Sequence, residues 1–462
     1  MTTQSATLYQ KPPQNLADHV RRTLSLAVPV MLARAGLVVM VTVDSIMVGH
    51  ASAEQLAHYA IAFALHVFLL VAGLGLLIGT VVLTARADGA ERYGDAGPIW
   101  HSALLVAAAV GTLGGGIMLA GEPILLLFGQ EPDIAAGGHG VLVQFSWSMP
   151  AILMFIATSF FLEGINRPRA GMVIALLANL PNAALNWVLI YGNLGLPAMG
   201  ADGAALATTI TRWIMLFALV GYALNMNGAT AYGVRRWIGG TVGRLGALLR
   251  IGVPLSLAVS SESAAFALIA TFAGRLGETP LAAYQICLNV VSFIFMLSIG
   301  LSTATSVRVS NAVGQSDRPR MAVAGWTGVG LCLIVMFAAA VLIFAFSGPI
   351  AAIYTDEARV LHVAIPALAV VAVAVIFDGG QAVLMGALRG TSDVVVPTAM
   401  QAVAFWVVAV PIAYVFGLEL DRGVPGLLNG LLAGLCAAAL FLFLRFLVIS
   451  RRPLTDHRAA DS

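Results

Sequence analysis

The sequence contains few charged residues and few cysteines. Only 10% of its 462 residues are Asp, Glu, Lys or Arg, whereas 60% are hydrophobic. A soluble globular protein carries about 25% charged residues, so this composition excludes an ordinary water-exposed surface. The cysteines, Cys287, Cys332 and Cys436, are odd in number and far apart in the chain. They therefore support neither a disulfide framework nor a cysteine metal site.

Long apolar runs recur along nearly the whole chain. Each is about 20 residues or longer, which is the length that a helix needs to cross a hydrocarbon core of about 30 Å. The alternating segments of about ten residues that indicate a membrane barrel are not visible. Because backbone groups in lipid must be hydrogen-bonded internally, each run predicts a helix. The sequence therefore predicts an all-α integral membrane protein with twelve transmembrane helices, near residues 24–48, 56–83, 99–120, 138–160, 170–192, 202–224, 246–274, 281–305, 322–346, 360–386, 396–417 and 424–448.

The positions of the basic residues predict the orientation of these spans. The first run, Leu24 to Val48, is too long for a signal-peptide core and has no small-residue cleavage site after it, so we expect a retained helix. Most Lys and Arg residues lie in the tails, at inner helix ends or in the loops that follow even-numbered spans. The opposite loops hold only Arg275, Arg359 and Arg422. The positive-inside rule then predicts a bacterial inner-membrane protein with both termini in the cytoplasm.

The two halves of the sequence resemble each other at a shift of about 225 residues. The matching segments are Leu56-Ala57-His58-Tyr59 with Leu281-Ala282-Ala283-Tyr284, Val28-Pro29 with Val253-Pro254, and Gly75 with Gly300. Parallel repeats of six helices are a transporter architecture, with the substrate site between the halves near the membrane midplane. We therefore expect a cytoplasmic tail at 1–23, an N-terminal lobe at 24–224, a cytoplasmic linker at 225–245, a C-terminal lobe at 246–448 and a second tail at 449–462.

Five of the ionisable residues inside predicted spans stand out, because a charge there is costly and therefore informative. They are Arg34, Asp44, Arg212, Glu262 and Asp378. A carboxylate removed from water can carry a proton near neutral pH, and with other oxygen donors it can bind Na⁺ instead. The three acids are thus candidate cation-binding residues, with Glu262 and Asp378 as the sodium ligands if sodium is the coupling ion. The alternative is that each acid pairs with an arginine and only holds helices together, and the two arginines are expected to be counter-ions or helix-end residues.

Several amides in the spans are candidate cavity-lining residues. Asn182 and Asn186 lie one turn apart in the fifth span, Gln285 and Asn289 lie one turn apart in the eighth, and Gln381 follows Asp378 in the tenth. Such amides often bridge neighbouring helices instead, so both interpretations stay open from spacing alone.

Four motifs resemble those of the multidrug and toxic compound extrusion (MATE) family, over essentially the whole chain. They are Val43-Asp44-Ser45-Ile46-Met47-Val48-Gly49, Leu185-Asn186-Trp187, Ala282-Ala283-Tyr284-Gln285-Ile286-Cys287-Leu288-Asn289 continuing to Thr305-Ser306-Val307-Arg308-Val309, and Gln381 followed by Gly386-Ala387-Leu388-Arg389-Gly390. Pro254 followed by Glu262, together with Asp378, is similar to the NorM-type branch rather than the DinF-type branch.

The resemblance implies a role for several of these residues. Glu262 and Asp378 would form the cation site of the C-terminal lobe, and Asp44, Asn182 and Asn186 would belong to the polar cluster of the N-terminal lobe. One departure is Ala374, which stands where NorM relatives often have a tyrosine one turn before the acid. A complete sodium shell is therefore not carried over from the family.

The expected function is an antiporter that exports amphipathic, mostly cationic compounds in exchange for Na⁺ or H⁺, by alternating access of two lobes. It would need no cofactor beyond the coupling ion, bind no nucleic acid and work as a monomer. The nearest alternative is a lipid-precursor flippase of the related superfamily, which would favour a strongly cationic cavity. An integral-membrane enzyme would need paired histidines or a carboxylate cluster at metal spacing. The histidines are mostly isolated, so the sequence predicts no enzyme.

Overall fold

The computed structural model describes residues 15–235 and 241–451. Within these two ranges every regular element is helical and no strand occurs. The predicted tails and the predicted linker lie partly outside the described residues. The predicted all-α architecture is thus confirmed for the part of the chain that can be examined.

The helices of the first half are, in chain order, α1 Leu16–Ala51, α2 Ala53–Leu77, α3 Gly79–Gly89, α4 Ala96–Leu119, α5 Gly121–Leu127, α6 Pro132–Ser146, α7 Ser148–Gly164, α8 Arg169–Leu177, α9 Asn179–Tyr191 and α10 Gly200–Asn225. Those of the second half are α11 Thr241–Arg275, α12 Glu278–Gly314, α13 Arg318–Ala345, α14 Ser347–Ala352, α15 Ala358–Gly390, α16 Val395–Val403, α17 Val410–Tyr414 and α18 Gly423–Arg451.

Every predicted span corresponds to one of these helices or to a short series of them. Within the described ranges, eleven spans are long and apolar enough to cross a membrane, and the bent pair α6 and α7, which meet at 44°, makes a twelfth when counted as one span. The second and fifth spans are each divided into two helices, α2–α3 and α8–α9. The eleventh span contains two π-helical segments, Ala404–Ala409 and Val415–Glu419, on either side of α17. The prediction of twelve transmembrane helices is confirmed.

Local sequence accounts for several helix ends. The Ser52 hydroxyl accepts a hydrogen bond from the Gln55 amide, 3.1 Å away, and so caps the start of α2. Asp317 caps α13 in the same way through the Arg320 amide, at 3.0 Å. Helix α9 ends at Gly192, whose positive φ of 73° is the left-handed conformation that glycine adopts without strain.

The chain forms two compact units, called unit 1 and unit 2. Unit 1 contains residues 32–256, and unit 2 contains the described residues of 12–31 and 257–462. The division between the units therefore falls inside α1, after Met31, and inside α11, after Ser256. These two positions are 225 residues apart, which is the offset of the internal repeat.

The glycine pair Gly75 and Gly300 permits equivalent close helix packing in the two units. In unit 1, a Cβ added at Gly75 of α2 would lie 2.4 Å from the Cα of Ser256 in α11. In unit 2, a Cβ at Gly300 of α12 would lie 2.3 Å from the Cγ of Met31 in α1. Both contact partners are also 225 residues apart. Equivalent glycines therefore allow equivalent pairs of helices to pack closely, and the internal repeat of the sequence also appears in the helix packing.

Candidate ion-coupling sites

The first candidate site lies in unit 2 and combines three helices. Helix α11 supplies Glu262, α15 supplies Asp378 and Gln381, and α16 supplies Gln401. The Nε2 of Gln381 donates hydrogen bonds to Oε1 of Glu262, 3.0 Å away, and to Oδ1 of Asp378, 3.4 Å away. The Nε2 of Gln401 donates to Oε2 of Glu262 at 3.0 Å and to Oε1 of Gln381 at 3.2 Å. The two predicted acids are therefore joined by amides in one network.

This network is removed from solvent except at Glu262. Asp378, Gln381 and Gln401 are buried, and Glu262 is partly exposed. Asp378 and Gln381 are three residues apart, which places them on one face of α15. Among the described residues, no salt bridge to an arginine, lysine or histidine involves either acid. Two carboxyl groups thus share a buried site whose other hydrogen-bonding members are neutral amides.

Gln401 was missed by the sequence interpretation. It lies three residues before the π-helical segment at Ala404–Ala409, and π-helical turns often occur at functional sites. In that segment, Nε1 of Trp406 donates to the Ser261 hydroxyl, 2.9 Å away, so the eleventh span also contacts α11 beside Glu262. In the sequence, Gln401 is only a single glutamine in an apolar span, with no motif or helical spacing to mark it.

The second candidate site lies in unit 1 and is centred on Asp44 of α1. Its Oδ1 accepts from Asn186 Nδ2, 2.6 Å away, and its Oδ2 accepts from the hydroxyls of Thr208 at 2.5 Å and Tyr59 at 3.3 Å. Asn182 Nδ2 donates to the Thr208 hydroxyl at 3.2 Å. All five residues are buried. The predicted cluster of Asp44, Asn182 and Asn186 is therefore brought together, while Tyr59 and Thr208 were missed.

The two arginines predicted inside the membrane also lie in unit 1. Arg34 Nη2 is 3.6 Å from Oε1 of Glu163 in α7, and its guanidinium lies over the Phe160 ring at 5.3 Å. Arg212 Nη1 donates to the Ser148 hydroxyl at 2.8 Å and contacts His66 Nε2 at 2.9 Å. Arg34 is thus the counter-ion of an acid that the sequence interpretation did not include, because the predicted fourth span ended at 160.

Gln285 and Asn289 lie apart from these networks. Both side chains are exposed, and Asn289 Nδ2 donates to the backbone carbonyl of Gln285, 3.0 Å away. No hydrogen bond found in the described ranges joins either side chain to Glu262, Asp378 or Asp44. Their role in a substrate cavity stays a prediction.

The donor set of the unit 2 site is compatible with a small cation. Among the described residues, no group of three or more His, Cys, Asp or Glu side chains could hold a metal ion. A sodium ion at Glu262 and Asp378 would therefore need further oxygen ligands. The amide oxygens of Gln381 and Gln401 are the nearest such groups in the network, and turning either amide would exchange an N–H donor for an oxygen.

A pair of contacts fixes the segment after α10 on unit 1. The Tyr232 hydroxyl donates to Oδ1 of Asp88, 3.0 Å away, and Arg167 Nη1 donates to the backbone carbonyl of Asn227 at 2.7 Å. Burial, with the neighbouring Asp88 carboxylate, raises the pKa of Tyr232 above its usual range, so this donor keeps its proton. The described part of the predicted linker is therefore packed on the helices that precede it.

Comparison with known proteins agrees with these observations. The MatE family model matches residues 29–188 and 254–415. A probable multidrug resistance protein NorM from Caulobacter vibrioides is 33% identical, with 99% of this chain and 97% of the relative covered. The corresponding protein from Xanthomonas campestris pv. campestris is 32% identical over 94% of this chain and 95% of the relative. The multidrug resistance protein PmpM from Pseudomonas aeruginosa is 31% identical over 95% and 93%.

Solved structures show the same fold. The crystal structure of the eukaryotic MATE transporter AtDTX14 superposes with a TM-score of 0.89 at 19% identity, over 97% of this chain and 100% of that one. An outward-facing conformation of a multidrug resistance MATE family transporter of the MOP superfamily gives a TM-score of 0.84 at 19% identity, over 97% and 98%. The family suggested by the sequence motifs is confirmed, and this chain, a multi-pass membrane protein, belongs to the MatE family.

Proposed function

We propose that this protein is a multidrug efflux antiporter, which exports amphipathic, mostly cationic compounds in exchange for Na⁺ or H⁺. Its relatives at about 30% identity or above are named multidrug resistance proteins. It acts by transport and alternating access rather than by catalysis, works as a monomer, and keeps both termini in the cytoplasm. The positive-inside distribution of Arg and Lys supports that orientation.

The observation that carries the proposal is the pair Glu262 and Asp378. A carboxyl group buried in a membrane protein must be neutralised by a proton, a cation or a basic side chain. No basic side chain among the described residues forms an ion pair with either acid, so the counter-charge comes from an exchangeable ion. A pair of acids with this property is what an ion-coupled transporter requires.

Coupling follows from competition for that negative charge. When the ion is bound at Glu262 and Asp378, the electrostatic attraction of a cationic compound to the same acids is weaker. When the ion has left, the uncompensated charge favours binding of the compound. Gln381 and Gln401 hold the two acids in place through hydrogen bonds. An ion can shift the access equilibrium only through different affinities for the two access states.

The test is ethidium efflux from proteoliposomes, driven separately by a sodium gradient and by a proton gradient. Wild type is compared with Glu262→Gln, Asp378→Asn and, as a matched control, Glu278→Gln, which replaces an exposed glutamate at the start of α12 in the same unit. We expect efflux under one gradient, its loss to the level of empty vesicles in the two site variants, and normal efflux in the control. If folded wild type moves no dye under either gradient, the drug-export proposal is wrong and the lipid-precursor flippase becomes the better interpretation.

A further inference from the structure

Trp406 of unit 2 is an exposed aromatic residue near the middle of the eleventh span. That span runs from Val395 to Glu419, so Trp406 is far from both of its ends. Its side chain is 43% exposed. Tryptophans that anchor a protein at the membrane surface lie at the ends of spans, at the level of the lipid headgroups. Anchoring at the membrane surface therefore does not explain a tryptophan at this position.

A hydrogen bond holds the indole ring of Trp406 in position. Its Nε1 donates to the hydroxyl of Ser261 in α11, 2.9 Å away. An N–H group at membrane depth must be hydrogen-bonded, and this bond supplies the partner at the edge of the ring, so that the face of the ring stays free. A side chain that is already fixed loses less entropy when a ligand binds to it. The indole is thus a pre-organised flat surface.

The π-helical segment of the eleventh span brings Trp406 beside the acid of the ion site. Trp406 contacts Ser261, and Gln401 donates to Oε2 of the next residue, Glu262, at 3.0 Å. Residues five positions apart in a regular α-helix point about 140° away from each other. The wider turns at Ala404–Ala409 allow Gln401 and Trp406 to contact consecutive residues of α11.

A third contact fixes the same two segments against each other. Phe266, one turn after Glu262 on α11, packs on Phe405 with ring centroids 6.0 Å apart, and Phe405 is fully buried. The position of the neighbouring indole relative to Glu262 therefore depends on helix packing as well as on the hydrogen bond to Ser261.

An aromatic face close to a carboxylate is suited to a planar aromatic cation. Flat rings stack on an indole, and the face of an indole also attracts positive charge. Glu262 supplies a negative charge beside it, since this residue is partly exposed and forms no ion pair within the described ranges. When the coupling ion has left, a flat cation could contact both groups at once.

We infer that Trp406 binds the planar aromatic part of cationic compounds beside Glu262, and that Ser261 is a positioning residue for its ring. The inference rests on the proposed function, which it deepens by naming the favoured class of compound. Flat aromatic cations are preferred to aliphatic cations of the same charge. The preference comes from stacking, which an aliphatic cation cannot provide.

The first test is equilibrium dialysis of ethidium, a planar aromatic cation, and of tetrabutylammonium against the purified protein in detergent. Trp406→Leu should raise the Kd of ethidium about tenfold. The Kd of tetrabutylammonium should change far less, because this cation has no ring and its butyl chains keep the charge away from the indole. An ethidium Kd equal to that of wild type, or an equal loss for both cations, would overturn the inference.

Variants of Ser261 test its positioning role. Ser261→Ala leaves the ring present but without its hydrogen bond, and the Kd of ethidium should rise about threefold. Ser261→Thr keeps a hydroxyl and should restore ethidium binding. The matched control is Phe337→Leu, which removes an aromatic side chain of α13 that is 62% exposed in the same unit. A similar loss of ethidium binding in Phe337→Leu would mean that any exposed ring binds ethidium, and the inference would be wrong.

Ethidium efflux from proteoliposomes separates this inference from the proposed function. Trp406→Leu should raise the KM for ethidium and leave the maximal rate nearly unchanged, because the stacking contact contributes to binding and not to coupling. An unchanged KM would contradict the inference. Failure of wild type to move ethidium would contradict the proposed function instead, and dialysis would still decide whether Trp406 binds aromatic cations.

Discussion

The acids inside the spans of the two units have different neighbours. In unit 1, Asp44 and Glu163 are accompanied by the two arginines Arg212 and Arg34. In unit 2, within the described residues, the Glu262 and Asp378 carboxylates accept hydrogen bonds from the amides of Gln381 and Gln401 and form no ion pair. The arginines of unit 2 that lie within its long helices are close to the helix ends, as Arg308, Arg389 and Arg445 show.

This difference would give distinct roles to two halves that carry the same internal repeat. In the proposed mechanism the acids of unit 2, which form no ion pair within the described residues, take their counter-charge from solution, whereas Glu163 of unit 1 has Arg34 beside it. The comparison teaches that the presence of acids in a span is less informative than the absence of a basic partner beside them.

The largest effect is expected from removing the cation at Arg34. In Arg34→Met, the buried carboxylate of Glu163 would lose its contact with Arg34, and removing one partner of a buried ion pair typically costs about 3–5 kcal/mol. Arg34→Lys keeps the charge and should lose less. Arg34→Met with Glu163→Gln should recover most of the loss, since the charges again cancel. Thermal unfolding of the purified variants measures these losses of stability. A double variant as unstable as Arg34→Met would contradict charge compensation between Arg34 and Glu163.

A smaller effect is expected where the repeat places matched glycines. In Gly75→Ala the new methyl group would meet the backbone of Ser256 at 2.4 Å, so α2 and α11 must separate, at a cost of about 1–3 kcal/mol. In Gly300→Ala the methyl group would meet the Cγ of Met31 at 2.3 Å and, among backbone atoms, the Ala27 oxygen only at 2.9 Å, so the loss should be smaller. Gly330→Ala is the control, because nothing lies within 4 Å of its Cβ, and it should stabilise by up to about 1 kcal/mol. Equal losses at Gly75 and Gly300 would contradict the distinction between backbone and side-chain contacts.

The smallest effect is expected at Gln401. Gln401→Leu removes the donor to Oε2 of Glu262, and a hydrogen bond to a charged group contributes about 1.5 kcal/mol. Because this hydrogen bond stabilises the carboxylate when no ion is bound, the half-saturating ion concentration for ethidium efflux should fall about tenfold. Gln315→Leu, at an exposed glutamine of unit 2, should leave it unchanged. An unaltered ion dependence in Gln401→Leu would show that the unit 2 site does not need this amide.

Much of the fold followed from the sequence because the membrane imposes a length on each helix. All twelve predicted spans match observed helices, yet several helices run further than their apolar cores. Helix α7 continues to Gly164 instead of ending at 160, and this extension brings Glu163 into the helix. Apolar length locates the part of a helix that crosses lipid, but packing against neighbouring helices decides where the helix ends.

The candidate sites were predictable for their charged members and for Asn182, Asn186 and Gln381, which lie within a helical turn of each other or of a charged residue. Charges in spans are costly, so Glu262, Asp378 and Asp44 stood out from their surroundings. Thr208 and Gln401 did not, because a neutral polar side chain in an apolar span is common and often has no special role. The contact between Arg212 and His66 joins residues 146 positions apart, and no spacing in the sequence could have indicated it.

The division of α1 and α11 has a consequence for experiments on isolated halves of the chain. The first turns of α1 belong to unit 2, and the first turns of α11 belong to unit 1, so neither half contains a complete unit. The halves exchange their first helix segments within one polypeptide, as two copies do in domain swapping. Cutting the chain between the halves would therefore leave each unit without one of its helix segments.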